Sequence, residues 1–246
     1  MPGVNRLDVA IAERGLAKSR NAAQNLIKGG FVVVNGLQVI KSNQLVAETD
    51  IIDVNGSDCP YVSRGGIKLA AAIKRYSVAV QGKRCLDVGS STGGFTDCLL
   101  QAGAARVTGL DVGHGQMDAA IASDPRVENR EGVNARNITK SDFPSLFDIA
   151  VIDVSFISLT LVLKPISDVV ESGGTVIALI KPQFEVGAEM LGKGGLVRRA
   201  TDRASAVHRV EQHAVGACGL TLIGTFESPI EGGEGNVEYL SCYRAS

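Results

Sequence analysis

Tryptophan is absent from the 246-residue chain, and phenylalanine and tyrosine bring the aromatic share to only 4%. Before residue 59 the one aromatic side chain is Phe31. Any nucleic acid recognised there must therefore be read by shape and phosphate contacts more than by stacking on unpaired bases. No apolar run approaches the roughly 18 residues that span a bilayer. The N-terminus MPGVNRLDVA also lacks the apolar stretch of a signal peptide. Both absences predict a cytoplasmic protein. Five scattered cysteines (Cys59, Cys85, Cys98, Cys218, Cys242) form no C-x-x-C pair, which argues against a disulfide framework or a zinc site and for buried apolar thiols. His208 and His213 do not share a helix face, so no metal is expected.

A net charge of −1 also lacks the excess expected of a protein that binds a polyanion, until it is partitioned. Residues 63–84 hold six basic side chains and no acidic one. Within residues 6–41, Arg6, Arg14, Lys18, Arg20, Lys28 and Lys41 face only Asp8 and Glu13. The two basic zones could meet a polyanion while the acidic middle of the chain faces elsewhere.

What is present is a small module followed by an alternating one. Leu7, Ala10 and Ile11 form a helical stripe that Gly15 stops, and Ser19 is placed to cap a second helix running to Lys28. FVVVNGLQVI reads as a hairpin turning at Asn35-Gly36, and a further strand is expected at residues 51–54. Cys59–Val62 reads as the join, giving a small α+β domain at 1–58, a linker at 59–62 and a larger domain at 63–246. In the larger domain a helix is expected after Ser63, then strands at 84–88, 106–111, 126–130, 148–153, 175–181, 221–227 and 237–243. Helices are expected near 94–102, 116–122, 158–171 and 200–216. This alternation predicts an α/β, doubly wound, mainly parallel sheet with one antiparallel strand near the C-terminus.

Between the first strand of that sheet and its helix lies Gly89-Ser90-Ser91-Thr92-Gly93-Gly94. Glycines at such a bend let the backbone approach a ligand that a side chain would exclude. Asp111 ends the second strand, where a carboxylate can receive the ribose hydroxyls of an adenosine ligand. The bland alternative is a tight strand-to-helix turn with no ligand.

VSRGGIKL, CLDVGSSTGGFTDCLL, DVGHGQM, VIDVSFISL, LIKPQFEVG and GNVEY, in that order, strongly resemble the TlyA family of ribosomal RNA 2′-O-methyltransferases, also known as haemolysins. The N-terminal RLDVAIAERGLAKSRNAAQNLIKGGFVVVNG is similar to the RNA-binding domain named after ribosomal protein S-four. The resemblance implies S-adenosylmethionine as cofactor and a cytidine ribose of ribosomal RNA, or of a ribosomal subunit, as substrate. It further implies an FtsJ-type catalytic tetrad at Lys68, Asp153, Lys181 and Glu238, and cofactor contacts at Gly89, Ser91, Thr92, Gly93, Gly94 and Asp111. Asn134 and Arg136 fall where the adenine edge is read in that family.

A ribose hydroxyl is a poor nucleophile and needs a group that activates it. A lysine serves as base at neutral pH only when burial or a neighbouring cation lowers its pKa, and two lysines converging on one pocket would supply that repulsion. Lys181 is therefore expected to activate the hydroxyl, Lys68 and Glu238 to orient it, and Asp153 to align the lysine. Each residue alone has a plainer reading, as a solvated lysine, a helix cap or the exposed side of a strand.

Candidate RNA contacts are Arg6, Ser19, Arg20, Lys28 and Asn35 in the small domain, Arg64 at the join, and Arg198 and Arg199 in a glycine-rich loop. The loop, with Arg203 beside them, could equally be a lid. Ser63, Arg64 and Gly65 are expected to couple RNA docking to the active site. The rival readings are a secreted or membrane-active haemolysin and a non-catalytic RNA-binding protein. A pseudouridine synthase would need R-L-D in its catalytic domain, and an amino-group methyltransferase would need a D-P-P-Y motif where this chain has Asp153-Val154-Ser155-Phe156.

Overall fold

The computed structural model describes residues 4–17, 20–55, 59–192, 194–232 and 235–246. Ser19 and its proposed capping role lie outside them.

The small module begins with strand β1 (Val4–Arg6), then helices α1 (Leu7–Glu13) and α2 (Arg20–Lys28). Strands β2 (Val32–Val34), β3 (Leu37–Gln38), β4 (Leu45–Ala47) and β5 (Ile52–Val54) follow. Leu7 and Ile11 from α1 and Ala23 and Ile27 from α2 meet Val32 over one core, because three- and four-residue spacing puts each pair on one helix face. The Asn35-Gly36 hairpin forms as expected: Val34 pairs with Leu37, and both turn residues take positive φ, 51° and 81°. The β1–β4 pair was not foreseen, since three-residue strands carry no legible alternation.

Helix α3 (Gly65–Tyr76) leads into the larger sheet. Its elements are β6 (Arg84–Val88), α4 (Gly94–Gln101), β7 (Arg106–Asp111), α5 (Ala119–Ala122), β8 (Val127–Glu131) and β9 (Phe147–Ile152). These are followed by α6 (Leu163–Asp168), β10 (Val170–Ile180), α7 (Pro182–Glu185), α8 (Ala200–Gly216), β11 (Thr221–Glu227) and β12 (Tyr239–Arg244). The seven strands lie in the order β11-β12-β10-β9-β6-β7-β8. Strand β12 is the antiparallel member, wedged between β10 and β11, and the rest run parallel.

Both faces of the sheet are covered, which is why its central strands are apolar at nearly every position. Leu86, Ile152 and Val176 pack towards Leu163 and Val210, while Cys85, Val151 and Ile177 pack towards Leu69 and Leu99. Truncating a buried leucine such as Leu99 to alanine costs about 2–5 kcal/mol. Two expected elements changed size. Strand β10 starts at Val170, passing through a register shift before Thr175, so the helix predicted to residue 171 shrinks to a 3-10 turn at Leu159–Leu161 plus α6. The helix predicted from residue 116 begins at Ala119, where the Asp118 side chain accepts from the Ala120 amide.

Candidate active site

Strand β6 lies between β7 and β9, so the sheet order reverses at its carboxyl end, the place where open α/β sheets bind ligands. The Gly89–Gly93 loop leaves β6 there. Its glycines serve contacts within the protein more than approach to a ligand: a Cβ on Gly89 (φ 83°) would stand 2.2 Å from the Asp153 carbonyl oxygen, and one on Gly94 would stand 2.0 Å from Ser63 Oγ. Asp111 ties the loop down, accepting from the Ser91 amide at 2.9 Å and from the Gly113 amide at 2.7 Å. Each carboxylate oxygen keeps a further lone pair for a ligand hydroxyl.

Two cavities meet over this loop. A lobe of about 470 Å³ is walled by apolar side chains including Val88, Leu110 and Val154, with Asp111, Gln116 and Asn134 as polar points. The other, about 310 Å³, holds Lys68, Lys181, Asp153, Arg64, Lys28 and Thr92. Gly89, Ser91, Asp153, Ser155 and Ile40 border both lobes. Gly94 lines the polar lobe, whereas Gly93 lines neither; its φ of 90° starts α4 and its empty side faces Ile121 and Met117. Asn134 accepts from the Arg136 amide to close a short turn, and exposed Arg136 lines neither lobe.

The four residues singled out for chemistry come together as two pairs. Lys68 from α3 reaches Glu238, just ahead of β12, with Nζ donating to Oε2 at 2.5 Å. Both are buried, and Glu238 stands behind Lys68 rather than on the cavity wall. Lys181 after β10 lies 2.6 Å from Asp153 Oδ1, an ion pair without hydrogen-bond alignment, and donates to Ser155 Oγ at 2.8 Å. Each lysine thus has its own counter-charge, and both line the polar lobe.

Below the loop, Asp87 of β6 is fully buried. Burial pushes its carboxyl up to about 7, helped by the nearby negative charge of Asp153 and opposed by the Thr96 hydroxyl that donates to Oδ2 at 2.6 Å.

Several residues of the cleft were not anticipated. Gly29, Gly30, Gln38 and Ile40 of the small module wall the polar lobe beside Lys28. Arg64 couples the parts: its amide donates to the Gly29 carbonyl at 3.3 Å and its guanidinium to the Glu231 carbonyl at 3.2 Å. Phe156 is 91% exposed at φ 62° on the rim of the apolar lobe, its ring 5.1 Å from that of Phe184. An aromatic directly after a strand end, in a chain so poor in aromatics, was the signal that could have found it.

The other candidates are dispersed. Arg6 and Arg20 both bind Asp8. Asn35 donates to Asp50 and accepts from the Ile51 amide, so its side chain ties the hairpin to the segment before β5. Arg198 and Arg199 are exposed, but Arg203 is spent on the carbonyls of Val197 and Arg198. The loop before α8 is stitched to buried Asn236 and, among the described residues, lines neither lobe. Also among the described residues, no group of three His, Cys, Asp or Glu side chains could hold a metal, and no helix is long and apolar enough to cross a membrane.

Comparison with known proteins identifies the family. Residues 61–245 match the FtsJ-like methyltransferase family and residues 5–52 match the S4 domain. The chain is 42% identical over 235 residues to the 16S/23S rRNA (cytidine-2′-O)-methyltransferase TlyA of Mycobacterium tuberculosis, covering 95% of this chain and 87% of that one. It is 39% identical to Hemolysin A of Brachyspira hyodysenteriae over 96% of this chain and 98% of the relative. A solved structure from Streptococcus thermophilus, provisionally named a hemolysin, superposes with a TM-score of 0.78 at 38% identity, covering all of this chain and 90% of the other. The chain belongs to the FtsJ-like methyltransferases, as a TlyA-type member with an S4 domain ahead of the catalytic sheet.

Proposed function

We propose that the chain transfers a methyl group from S-adenosylmethionine to the 2′-hydroxyl of a cytidine ribose in ribosomal RNA. The observation that carries this reading is the adjacency of the two lobes: an apolar one ending on Asp111, and a polar one holding Lys181–Asp153 and Lys68–Glu238. The residues suit the cofactor. An apolar slot with Asp111 at the end of β7 fits an adenosine, and Asn134 offers an amide on its wall. Gly89, Ser91, Thr92 and Gly94 would hold the amino-acid end, with Gly93 shaping the turn behind them.

S-adenosylmethionine, when bound, supplies a methyl on a cationic sulfur. The protein's task is to bring a hydroxyl in line with it and to favour negative charge on that oxygen. Lys181, fixed by Asp153 and Ser155, would donate to the attacking oxygen and stabilise it as its proton passes to solvent water in the open polar lobe. Lys68, braced by Glu238, would hold the ribose in register. Phe156 offers a ring face to the target base once it is turned out of its helix. Arg64, Lys28 and the exposed Arg198 and Arg199 would meet RNA phosphates.

The hemolysin names of two relatives have no counterpart in the chemistry of this cleft. The deciding experiment incubates the purified chain with tritiated S-adenosylmethionine and ribosomal subunits from cells that lack the protein. A new 2′-O-methyl cytidine that disappears with Lys181→Met is the expected result. Unchanged ribosomal RNA methylation would sink the reading.

A further inference from the structure

Asp8 is the wholly buried carboxylate of the small module, and burying such a charge is costly unless it is paired and hydrogen-bonded. Three side chains converge on it. Arg6, at the entry to α1, donates from Nε to Oδ1 at 3.0 Å and from Nη2 to Oδ2 at 3.1 Å. Arg20, the first residue of α2, donates from Nε to Oδ2 at 2.9 Å, and Gln24 donates one turn later at 2.6 Å. The backbone holds the anchor too, since the Asp8 amide donates to the Ser42 carbonyl.

The arginines themselves are not buried. Their side chains are 44% and 54% exposed. Among the described residues, Nη1 of Arg6 and both Nη atoms of Arg20 have no hydrogen-bond partner. Arg14, on the same module, makes the contrast: its guanidinium is spent on the carbonyls of Ala47, Glu48 and Asp50. Two guanidiniums against one carboxylate leave a net positive charge, and both meet at Asp8 Oδ2.

We propose that Asp8 is a positioning residue for the RNA substrate, fixing Arg6 and Arg20 as a paired clamp for a phosphodiester of the backbone. The inference rests on the reading of the chain as an RNA methyltransferase. A free arginine gives up rotamer entropy when immobilised, and a fork already held in place loses less of it on binding. Bidentate guanidinium geometry then adds directional contact to charge.

The test exploits a conflict of sign. Asp8→Asn removes a negative charge next to the clamp, so charge alone predicts tighter RNA binding, whereas positioning predicts weaker binding. Binding of small and large ribosomal subunits is measured at fixed ionic strength for full-length wild type, Asp8→Asn, Arg6→Gln/Arg20→Gln and the triple variant. Expected are a loss of ~10-fold or more for the arginine pair and roughly fivefold for Asp8→Asn, with no further loss in the triple variant. For Asp8→Asn the RNA KM rises while kcat and the cofactor Kd stay unchanged. Equal or tighter binding by Asp8→Asn overturns the proposal, as does an undiminished Asp8 effect in the arginine-free background, the mark of a merely structural role. An arginine pair without effect overturns the clamp itself.

Arg20→Lys guards against misfolding of Asp8→Asn, since it keeps the charge and loses the fork; unchanged affinity for it also overturns the idea. A wild-type chain that binds subunits through the clamp yet transfers no methyl group would defeat the methyltransferase reading and leave the clamp standing.

Discussion

The two lysine–carboxylate pairs of the cleft differ in depth. The two lysines are alike, Lys68 keeping 10% and Lys181 12% of their side-chain surface, but Glu238 keeps 3% where Asp153 keeps 23%. A pair whose carboxylate stands behind the cavity wall braces the structure, and removing its lysine strands a buried charge. A pair with one face open to the cleft can exchange partners with a substrate. Lys181→Met should therefore lower the rate of methyl transfer by ~10²–10⁴-fold with little loss of stability, read by single-turnover kinetics and thermal melting. Lys68→Met should instead destabilise the fold by about 3–5 kcal/mol, seen in denaturant titration. Lys68→Met combined with Glu238→Leu should recover most of that stability while staying inactive. If both single variants melt alike, depth does not separate the two roles.

A third carboxylate sharpens the contrast, because Asp87 is buried with no cation beside it. Its folded-state pKa, about 7, lies above the ordinary aspartate value of 3.8. The native state therefore holds this proton where the unfolded chain has lost it. Its stabilising contribution is complete below about 3.8 and is lost as pH rises through about 7. Asp87→Asn should flatten the decline in unfolding free energy between pH 5 and 7, measured by urea titration across that window. An unchanged slope would show that Asp87 is ionised in the fold.

Much of this architecture could be read from sequence, for a physical reason. Parallel strands buried on both faces must be apolar along their length, so β6 and β7 were placed to the residue. Charged residues that end such strands, Asp111, Asp153 and Lys181, point to a site at the carboxyl edge. What stayed hidden depends on docking rather than on local pattern. Nothing in GGF or LQVI says that Gly30, Gln38 and Ile40 will wall a cleft centred on strands far along the chain. The partners of Asp8 could not be inferred either, because Arg6 reaches it from the end of β1 and Arg20 from the start of α2. Asn35 and Arg203 looked like free donors, and the fold uses both internally.

The smallest expected effect tests whether that docking operates in solution. Ile40, 44% exposed, borders both lobes, and half-burying such a side chain is worth about 1 kcal/mol. Lys28 borders only the polar lobe. Ile40→Ala should weaken cofactor binding roughly fivefold, the equivalent of about 1 kcal/mol, measured by calorimetry on the full chain. Lys28→Ala should leave the cofactor Kd unmoved and raise the RNA KM, because a cationic side chain reaching only the polar lobe meets phosphate and not adenosine. Should neither variant shift its own ligand, the small module would be a tether for RNA and not a wall of the active site.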